Sequence, residues 1–334
     1  MRCRLSLTAV GALTTLGEVF LRPRSLRPFR QAPAQKVAIP EQARLRVPAD
    51  ALIDFATEVF LAHDIPEPRA RMSAEALCYG DLTGNPGCGL ASLGRTYLPL
   101  FEQGQVRAGA EPLIIADRGA AALIDCRRAL GLWAVSDAMD RAVARAGRHG
   151  VGLVSMRGVS AFGRASHHAS RALPHGMIGL VLASGGEQNP AREGVNPLGM
   201  AAPAGAYPAF VFDLDAEGLA VGPVPATAGL MLLVEVLAGL LSGVADHDHD
   251  VGLLVMAIAP TTLRSADGFY RAASALFGSV LGWDSGTPVR YPGWKEAEHT
   301  EQCQALGVPL DAYLYRQLSG LANRLGLRMP PPND

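Results

Sequence analysis

Short strands and helices alternate along this chain, and that alternation most constrains what it can fold into. Apolar runs typical of strands recur between segments whose apolar residues return at helical spacing. No strand is followed by the glycine-rich loop and helix of a Rossmann unit, and no Walker loop occurs. The sequence therefore predicts an α/β fold that lacks the usual phosphate-binding motifs.

The periodicity predicts a series of elements. The predicted helices begin near Ala49 and span 67–77, 97–104, 134–149, 162–174, 230–241, 268–281 and 309–325, and the predicted strands span 112–115, 120–125, 151–156, 178–183, 209–214 and 253–259. The longest apolar run, Ala228 to Val244, is interrupted by Glu235. A bilayer needs about 20 apolar residues, so this run is interpreted as a buried core helix, and no membrane partner is expected.

Charge and cysteine content narrow the class of protein. The formal net charge of −1 gives no electrostatic reason to expect a nucleic-acid partner. The five cysteines are scattered without a C-x-x-C pair, which argues against a disulfide framework or a zinc site and favours the cytoplasm. Residues 1–46 carry nine basic and two acidic side chains and are predicted to be a disordered extension.

One glycine-framed segment carries several groups that can do chemistry. Gly80-Asp81-Leu82-Thr83-Gly84-Asn85-Pro86-Gly87-Cys88-Gly89 follows a predicted helix. A carboxyl, an amide and a thiol stand close together there, between glycines that allow tight turns. This segment is the first candidate for a functional site.

The segment resembles the start of the malate/L-lactate dehydrogenase family, whose members read roughly A-D-x-x-G-H-x-S-H-G. Further pieces resemble family motifs in the same order: Tyr97 with Gly104, Gly150-Val151 through Phe162-Gly163, Gly194-Val195-Asn196-Pro197-Leu198, Leu232 to Gly243, Tyr291-Pro292-Gly293 and Gly307-Val308-Pro309-Leu310. The order and spacing of these pieces indicate homology from about Val47 to Leu327.

The resemblance implies a fold and an activity. Family members are NAD(P)-dependent oxidoreductases of 2-hydroxy acids or cyclic imino acids, with a nucleotide-binding domain that is not a Rossmann fold, and they usually form homodimers. It implies a malate/L-lactate dehydrogenase-like fold, with a helical N-terminal part (47–108) packed against 300–334 and a central mixed sheet within 109–299.

This chain departs from the family at its redox site. Asn85 and Cys88 stand where the family has two histidines, the second of which is its acid/base. Ser160-Ala161-Phe162-Gly163 replaces the family's N-H-F-G. A long family stretch after Asp213 is missing, so the nucleotide-binding region is predicted to be truncated.

The candidate site residues follow from these comparisons. The predicted catalytic groups are Cys88, Asp81, Asn85, His167 and His168, and the predicted substrate-binding groups are Arg95, Ser160, Asn196, Asp213 and Gln188. Arg95 is the candidate for the family's carboxylate-binding arginine, which would stand at Ser92 counted from Gly89, or at Leu93 counted from Tyr97. No cofactor-binding and no metal-binding residue is predicted.

Three functions remain open from the sequence. The first is a repurposed biosynthetic enzyme that acts on a small molecule without a cofactor, by dehydration, cyclisation or isomerisation. The second is a conventional oxidoreductase that uses NAD or NADP. The third is a catalytically silent binding partner. The altered site in a preserved scaffold favours the first.

Overall fold

The computed structural model describes residues 45–184, 198–214, 225–244, 251–281 and 289–333. The strands are β1 (Leu45–Val47), β2 (Leu113–Asp117), β3 (Ala121–Ala129), β4 (Val151–Val159), β5 (Ile178–Ser184), β6 (Leu198–Ala202), β7 (Phe210–Leu214), β8 (Val251–Ile258) and β9 (Val308–Leu310). The α-helices are α1 (Ala49–Leu61), α2 (Glu67–Leu82), α3 (Leu98–Glu102), α4 (Gly131–His149), α5 (Ala165–Ser170), α6 (Pro225–Val234), α7 (Ala266–Val280), α8 (Trp294–Leu306) and α9 (Ala312–Leu325).

A mixed seven-stranded sheet forms the centre of the described chain. Its strand order is β2-β3-β4-β8-β5-β6-β7. The pair β3–β4 is parallel, with Leu123 opposite Ser155, whereas the other neighbours run antiparallel. The prediction of an α/β fold with a central mixed sheet is confirmed.

Helix α4 covers the middle of this sheet. Its apolar residues return at helical spacing, and the largest of them, Trp133, is almost completely buried. The helix ends at Gly150, whose φ of +82° places it in the left-handed region that favours glycine. Strand β4 follows directly and packs under the same helix, so the chain returns to the sheet without a long loop.

The first and last described segments hold each other in place. Strand β1 pairs antiparallel with β9, so that Val47 lies opposite Val308. On α8, His299 Nδ1 lies 2.9 Å from the carbonyl oxygen of Leu82 at the end of α2. The division into 1–46, 47–108 with 300–334, and 109–299 stays a prediction.

The apolar run from Ala228 to Val244 is interpreted from its sequence as a buried helix. That interpretation is wrong for one face of the helix. Helix α6 continues into a π-helical turn, Glu235–Leu240. Val234 and Ala238 are buried against Leu182 and Leu254 of the sheet. The opposite face is exposed because no described element covers it; its large apolar residues are Leu232, Leu233, Val236, Leu240 and Leu241.

Other boundaries also differ from the periodicity. Helix α2 extends beyond the predicted 67–77 to Leu82, which places Tyr79, Gly80 and Asp81 on a helix. The predicted helix 97–104 is a π-helical turn, Leu93–Tyr97, followed by α3. Helix α8 was not predicted because it buries only Cys303 and so has no apolar stripe. None of the described helices is long and apolar enough to cross a membrane.

Candidate functional site

The glycine-framed segment folds back onto the helix that precedes it. Asn85 donates its N–H to the carbonyl oxygen of Gly80 over 2.8 Å, and a 3₁₀ turn, Pro86–Cys88, follows. A Cβ at Gly80 would lie 2.6 Å from the carbonyl carbon of Cys88, so this close approach requires glycine. The turn thereby holds Cys88 against the C-terminal end of α2.

Asp81 binds the residues that follow this turn. Its Oδ2 accepts the Leu90 N–H at 2.7 Å, and the carboxyl group packs directly on Gly89. Burial raises the pKa of Asp81 to about 7, although the hydrogen bond from Leu90 acts in the opposite direction. Burial raises the pKa of the Cys78 and Cys303 thiols, and the nearby carboxyl group of Asp81 adds to each increase. Asp81 therefore faces the protein interior.

A half-buried ion pair forms the charged centre of the site. Arg164 Nε donates to Asp213 Oδ2 at 2.7 Å, and the two side chains are 15% and 11% exposed. Ser166 donates both its N–H, over 2.7 Å, and its hydroxyl to the same carboxylate. Asp213, at the end of β7, thus caps the first turn of α5, whose own N-cap supplies no side-chain acceptor.

Arg164 stays charged in this environment. Burial lowers the pKa of its guanidinium, but Asp213, Tyr79 and Cys88 together raise the pKa above its ordinary value. Its hydrogen bond to Asp213 uses Nε, and within the described residues neither Nη group has a hydrogen-bond partner, so both can donate to a ligand. Sequence reasoning missed Arg164, although it directly follows the Phe162-Gly163 pair that carried the resemblance.

Two aromatic groups extend the cluster along α5. The Tyr79 hydroxyl lies 3.5 Å from Ser166 Oγ, and its ring packs edge-on against His167 at 5.0 Å between centroids. Burial raises the pKa of Tyr79 and lowers the pKa of His167 well below its usual range. Both are therefore neutral at pH 7. Within the described part of the chain, the buried Nε2 of His167 has no hydrogen-bond partner.

Cys88 lies beside the same charged centre. The residue is partly exposed, and its thiol contributes to the raised pKa of Arg164. Burial raises the pKa of Tyr97 strongly, and Cys88 adds to that increase, so Tyr97 is a second neighbour. The structure thus brings together three predicted residues, Cys88, His167 and Asp213.

Two other predicted residues, His168 and Ser160, make hydrogen bonds within the protein. His168 is fully buried; its Nε2 donates to the Phe162 carbonyl oxygen at 2.7 Å and its Nδ1 accepts from Ser136 Oγ at 2.9 Å. Burial lowers the pKa of His168 to about 4. Ser160 Oγ accepts the Gly131 N–H at 3.0 Å, at the beginning of α4. The catalytic role of His168 and the substrate-binding role of Ser160 stay predictions.

Asn85 and Arg95 both contact the turn that carries Cys88. Asn85 begins the 3₁₀ turn, with its carbonyl oxygen accepting the Cys88 N–H at 3.0 Å. Arg95 is exposed, and its Nη2 donates to the Gly87 carbonyl oxygen at 2.8 Å. Gln188 and Asn196 lie outside the described residues.

The two ways of counting to the family's carboxylate-binding arginine differ by one residue, and the structure has an irregular helical turn at this place. Arg95 lies within the π-helical turn Leu93–Tyr97. A π turn holds one residue more than an α turn, and one inserted residue is what separates the two ways of counting to that position. Ser92 and Leu93 are both buried, and Ser92 Oγ donates to the Gly89 carbonyl oxygen at 2.6 Å.

A profile of the malate/L-lactate dehydrogenase family matches residues 47–228 and 219–319. The chain belongs to the malate/L-lactate dehydrogenase family. The two matched parts overlap at 219–228. The family recognised from the ordered motifs is confirmed.

Similar proteins and structures agree with this assignment. The L-sulfolactate dehydrogenase of Methanothermobacter thermautotrophicus is 24% identical, covering 85% of this chain and 98% of the relative. The malate dehydrogenase of Pyrococcus abyssi is 30% identical over 53% of this chain and 50% of the relative. The structure of malate dehydrogenase from Pyrococcus horikoshii superposes with a TM-score of 0.77 at 22% identity, covering 86% of this chain and 97% of that one.

These relatives correct the favoured functional hypothesis. The curated relatives named above are dehydrogenases, and a further solved structure of the same fold is a Δ1-piperideine-2-carboxylate reductase from Pseudomonas syringae. A cofactor-independent dehydration, cyclisation or isomerisation enzyme is therefore the wrong interpretation, and the expectation of no cofactor is unsupported. The altered histidines had suggested lost redox chemistry, whereas the family assignment favours NAD(P)-dependent oxidoreduction.

Proposed function

We propose that this protein is an NAD(P)-dependent oxidoreductase of a small 2-hydroxy acid or cyclic imino acid, which reacts beside Cys88 and Arg164. The observation that carries this proposal is the half-buried Arg164–Asp213 pair next to Cys88, in a chain of this family. Buried charge is costly to maintain, so a guanidinium with available donors in such a place favours an anionic ligand.

Arg164 is proposed to bind the substrate carboxylate. Its two Nη groups match the geometry of a carboxylate, while Asp213 and Ser166 fix the orientation of the guanidinium. This assignment replaces Arg95 in that role, since Arg95 is exposed and bonded to the Gly87 carbonyl.

Cys88 is proposed to hold the proton that the C2 oxygen or imine nitrogen of the substrate takes up on reduction. A protonated thiol can give its proton to the oxygen or nitrogen on which negative charge develops during reduction. The thiolate that remains is next to the Arg164 cation and regains its proton from solvent, which the partial exposure of Cys88 permits.

The residues of α5 fit the carboxamide of a nicotinamide ring. His167 Nε2 is buried and, within the described residues, without a hydrogen-bond partner, whereas Ser170 Oγ lies close enough to the Tyr79 hydroxyl to act on its pKa. An amide N–H would satisfy His167 Nε2. When bound, the nicotinamide supplies or accepts the hydride. His167 is neutral at pH 7 because burial lowers its pKa, so it would orient the ring without adding charge.

We also propose that the protein acts as a homodimer. The exposed face of α6 and its π turn carries five large apolar side chains, among them Leu232 and Leu240 at 66% and 59% exposure. A contiguous apolar surface of this kind favours association with a second chain.

The test is titration with NADH and NADPH, followed by nicotinamide fluorescence and heat, and then turnover of 2-keto acids and cyclic imino acids. We expect binding at micromolar concentrations and turnover of at least one acid. Cys88→Ala should retain nucleotide binding and lose turnover by about 100-fold or more. Absence of binding at millimolar nucleotide, or unchanged turnover in Cys88→Ala, would overturn the proposal.

A further inference from the structure

A groove separate from the Cys88–Arg164 centre lies between the Leu93–Tyr97 π turn with α3 and the C-terminal helix α9. Its volume is about 430 Å³, within the usual range for small-molecule sites. Its lining residues are Leu90, Ala91, Gly94, Arg95, Leu98, Leu314, Arg316, Gln317, Leu318, Gly320, Leu321 and Arg324.

Three guanidinium groups of one sign line this groove. Arg95 comes from the π turn, and Arg316 and Arg324 come from two different parts of α9. No acidic side chain is among the lining residues just named, and Arg324 makes no hydrogen bond or ion pair within the described residues. Within the part of the chain that the structure describes, Arg316 bonds through Nε alone, which donates to the Ala312 carbonyl oxygen at 3.2 Å.

The space between the arginines is kept open by two glycines. A Cβ at Gly94 or at Gly320 would meet no atom within 4 Å. Neither glycine has a positive φ, so neither is needed for the backbone conformation. Glycine inside a helix costs about 1 kcal/mol relative to alanine, and the room that it leaves above buried Leu318 and Leu321 is available to a ligand.

We propose that this groove binds a small organic or inorganic anion that carries two or more negative charges. Arginines on opposite walls match separated anionic groups, and the leucines of the floor accept an uncharged body. The chain's own N-terminal extension does not suit the groove, because residues 1–46 carry nine basic and two acidic side chains.

One wall of the groove contacts the turn that carries Cys88, the proposed proton donor. Arg95 donates to the Gly87 carbonyl oxygen, one residue before Cys88, and the N–H of Leu90 donates to Asp81. An anion held by Arg95 would therefore contact the turn that positions the proposed proton donor. This is a site for a second ligand, distinct from the substrate site at Arg164.

The test is calorimetric titration of the full chain with citrate and with pyrophosphate, at constant ionic strength maintained with chloride. Arg324→Ala and Gly320→Leu remove a charge and fill the space, respectively, and Arg148→Ala is the control, an exposed arginine of α4 outside the groove. We expect saturable one-to-one binding of at least one anion, about tenfold or more weaker in both groove variants and unchanged in Arg148→Ala.

Two results would overturn the proposal. One is heat that does not saturate for either anion. The other is saturable binding that all three variants retain equally, which would place the anion elsewhere, for example at the cofactor site. Gly320→Leu raises helix propensity at an open position, so loss of folding is not expected to obscure the result; thermal unfolding of each variant verifies this.

Discussion

At the scale of single residues, a replacement of Arg164 should separate substrate binding from folding. This side chain forms a half-buried ion pair and also has donor groups available to a ligand. Arg164→Lys keeps the charge but loses the planar fork that bonds Asp213 and a carboxylate together. We expect KM for the acid substrate to rise about 10- to 100-fold, equivalent to about 1.4 to 2.8 kcal/mol. Steady-state kinetics measures this.

The matched control is Arg171→Lys. Arg171 is also paired with a carboxylate, through Nε and Nη2 to Asp140, but on the protein surface. Its replacement should leave KM unchanged. Equal effects of the two substitutions would show that Arg164 acts only through general stability.

Asp81 makes the free energy of unfolding depend on pH, because burial raises its pKa to about 7. The folded state holds the proton at pH values where the unfolded chain has released it. The stabilisation is therefore full below the unfolded pKa, near 4, and is lost as the pH rises through 7. Asp81→Asn keeps an acceptor for Leu90 and should lose this decline, gaining on the order of 2 kcal/mol over the wild type between pH 5 and 8.

Urea unfolding at the two pH values measures this difference. His168 has the opposite sign: with a pKa lowered to about 4, it loses stability as the pH falls below 6.5, so only the difference between the variant and the wild type isolates Asp81. The exposed Glu102→Gln should reproduce the wild-type dependence. An unchanged dependence in Asp81→Asn would contradict the assignment.

At the scale of elements, the π turn Leu93–Tyr97 is expected to tolerate a deletion. Removing Gly94 should let the turn relax to an α turn without rotating the flanking segments, and a Cβ at this position would meet no atom within 4 Å. We expect the free energy of unfolding to change by less than about 1 kcal/mol. Chemical denaturation measures it.

Deletion of Gln317 provides the contrast. Gln317 lies in a regular α turn of α9, so its loss rotates buried Leu318 and Leu321 by one position on the helix surface. That change should cost about 3 kcal/mol or more. Similar losses for both deletions would show that the π turn does not accommodate an extra residue.

The helices and strands also show how much of the fold could be predicted from the sequence. Periodicity predicted α4 and β4 closely, because α4 has an apolar face that packs on the sheet and β4 is an apolar run buried in the middle of that sheet. It missed α8, which buries only Cys303, and misjudged the exposure of α6, whose sequence is apolar all round. Local patterns report how apolar a segment is, whereas the number of faces that neighbours cover is a property of the whole fold.

The same reasoning applies to the candidate site. The family resemblance pointed to the segment with Cys88, although not to the close approach of its turn to Gly80. Arg164 and Tyr79 were missed because they come together only when β7 brings Asp213 to the beginning of α5. His168 and Ser160 were chosen by their position against the family's N-H-F-G motif, and position in the sequence does not tell that both side chains make hydrogen bonds within the protein.

At the scale of the whole molecule, the exposed apolar face of α6 and its π turn is expected to form the dimer interface. We expect the double variant Leu232→Glu/Leu240→Glu to dissociate at least 100-fold more readily, since each substitution would place a charge in a desolvated interface. Light scattering coupled to size-exclusion chromatography over a concentration series measures this.

Leu263 supplies the control for that prediction, because it is 88% exposed and lies outside the α6 face. Leu263→Glu should leave the oligomeric state unchanged, since a single exposed leucine needs no partner. A monomeric wild type, or a dimer that the double variant leaves intact, would contradict the assignment. If the variant becomes a folded monomer that still binds NADH, the nucleotide site is contained in one chain; if binding is lost with dissociation, the second chain completes it.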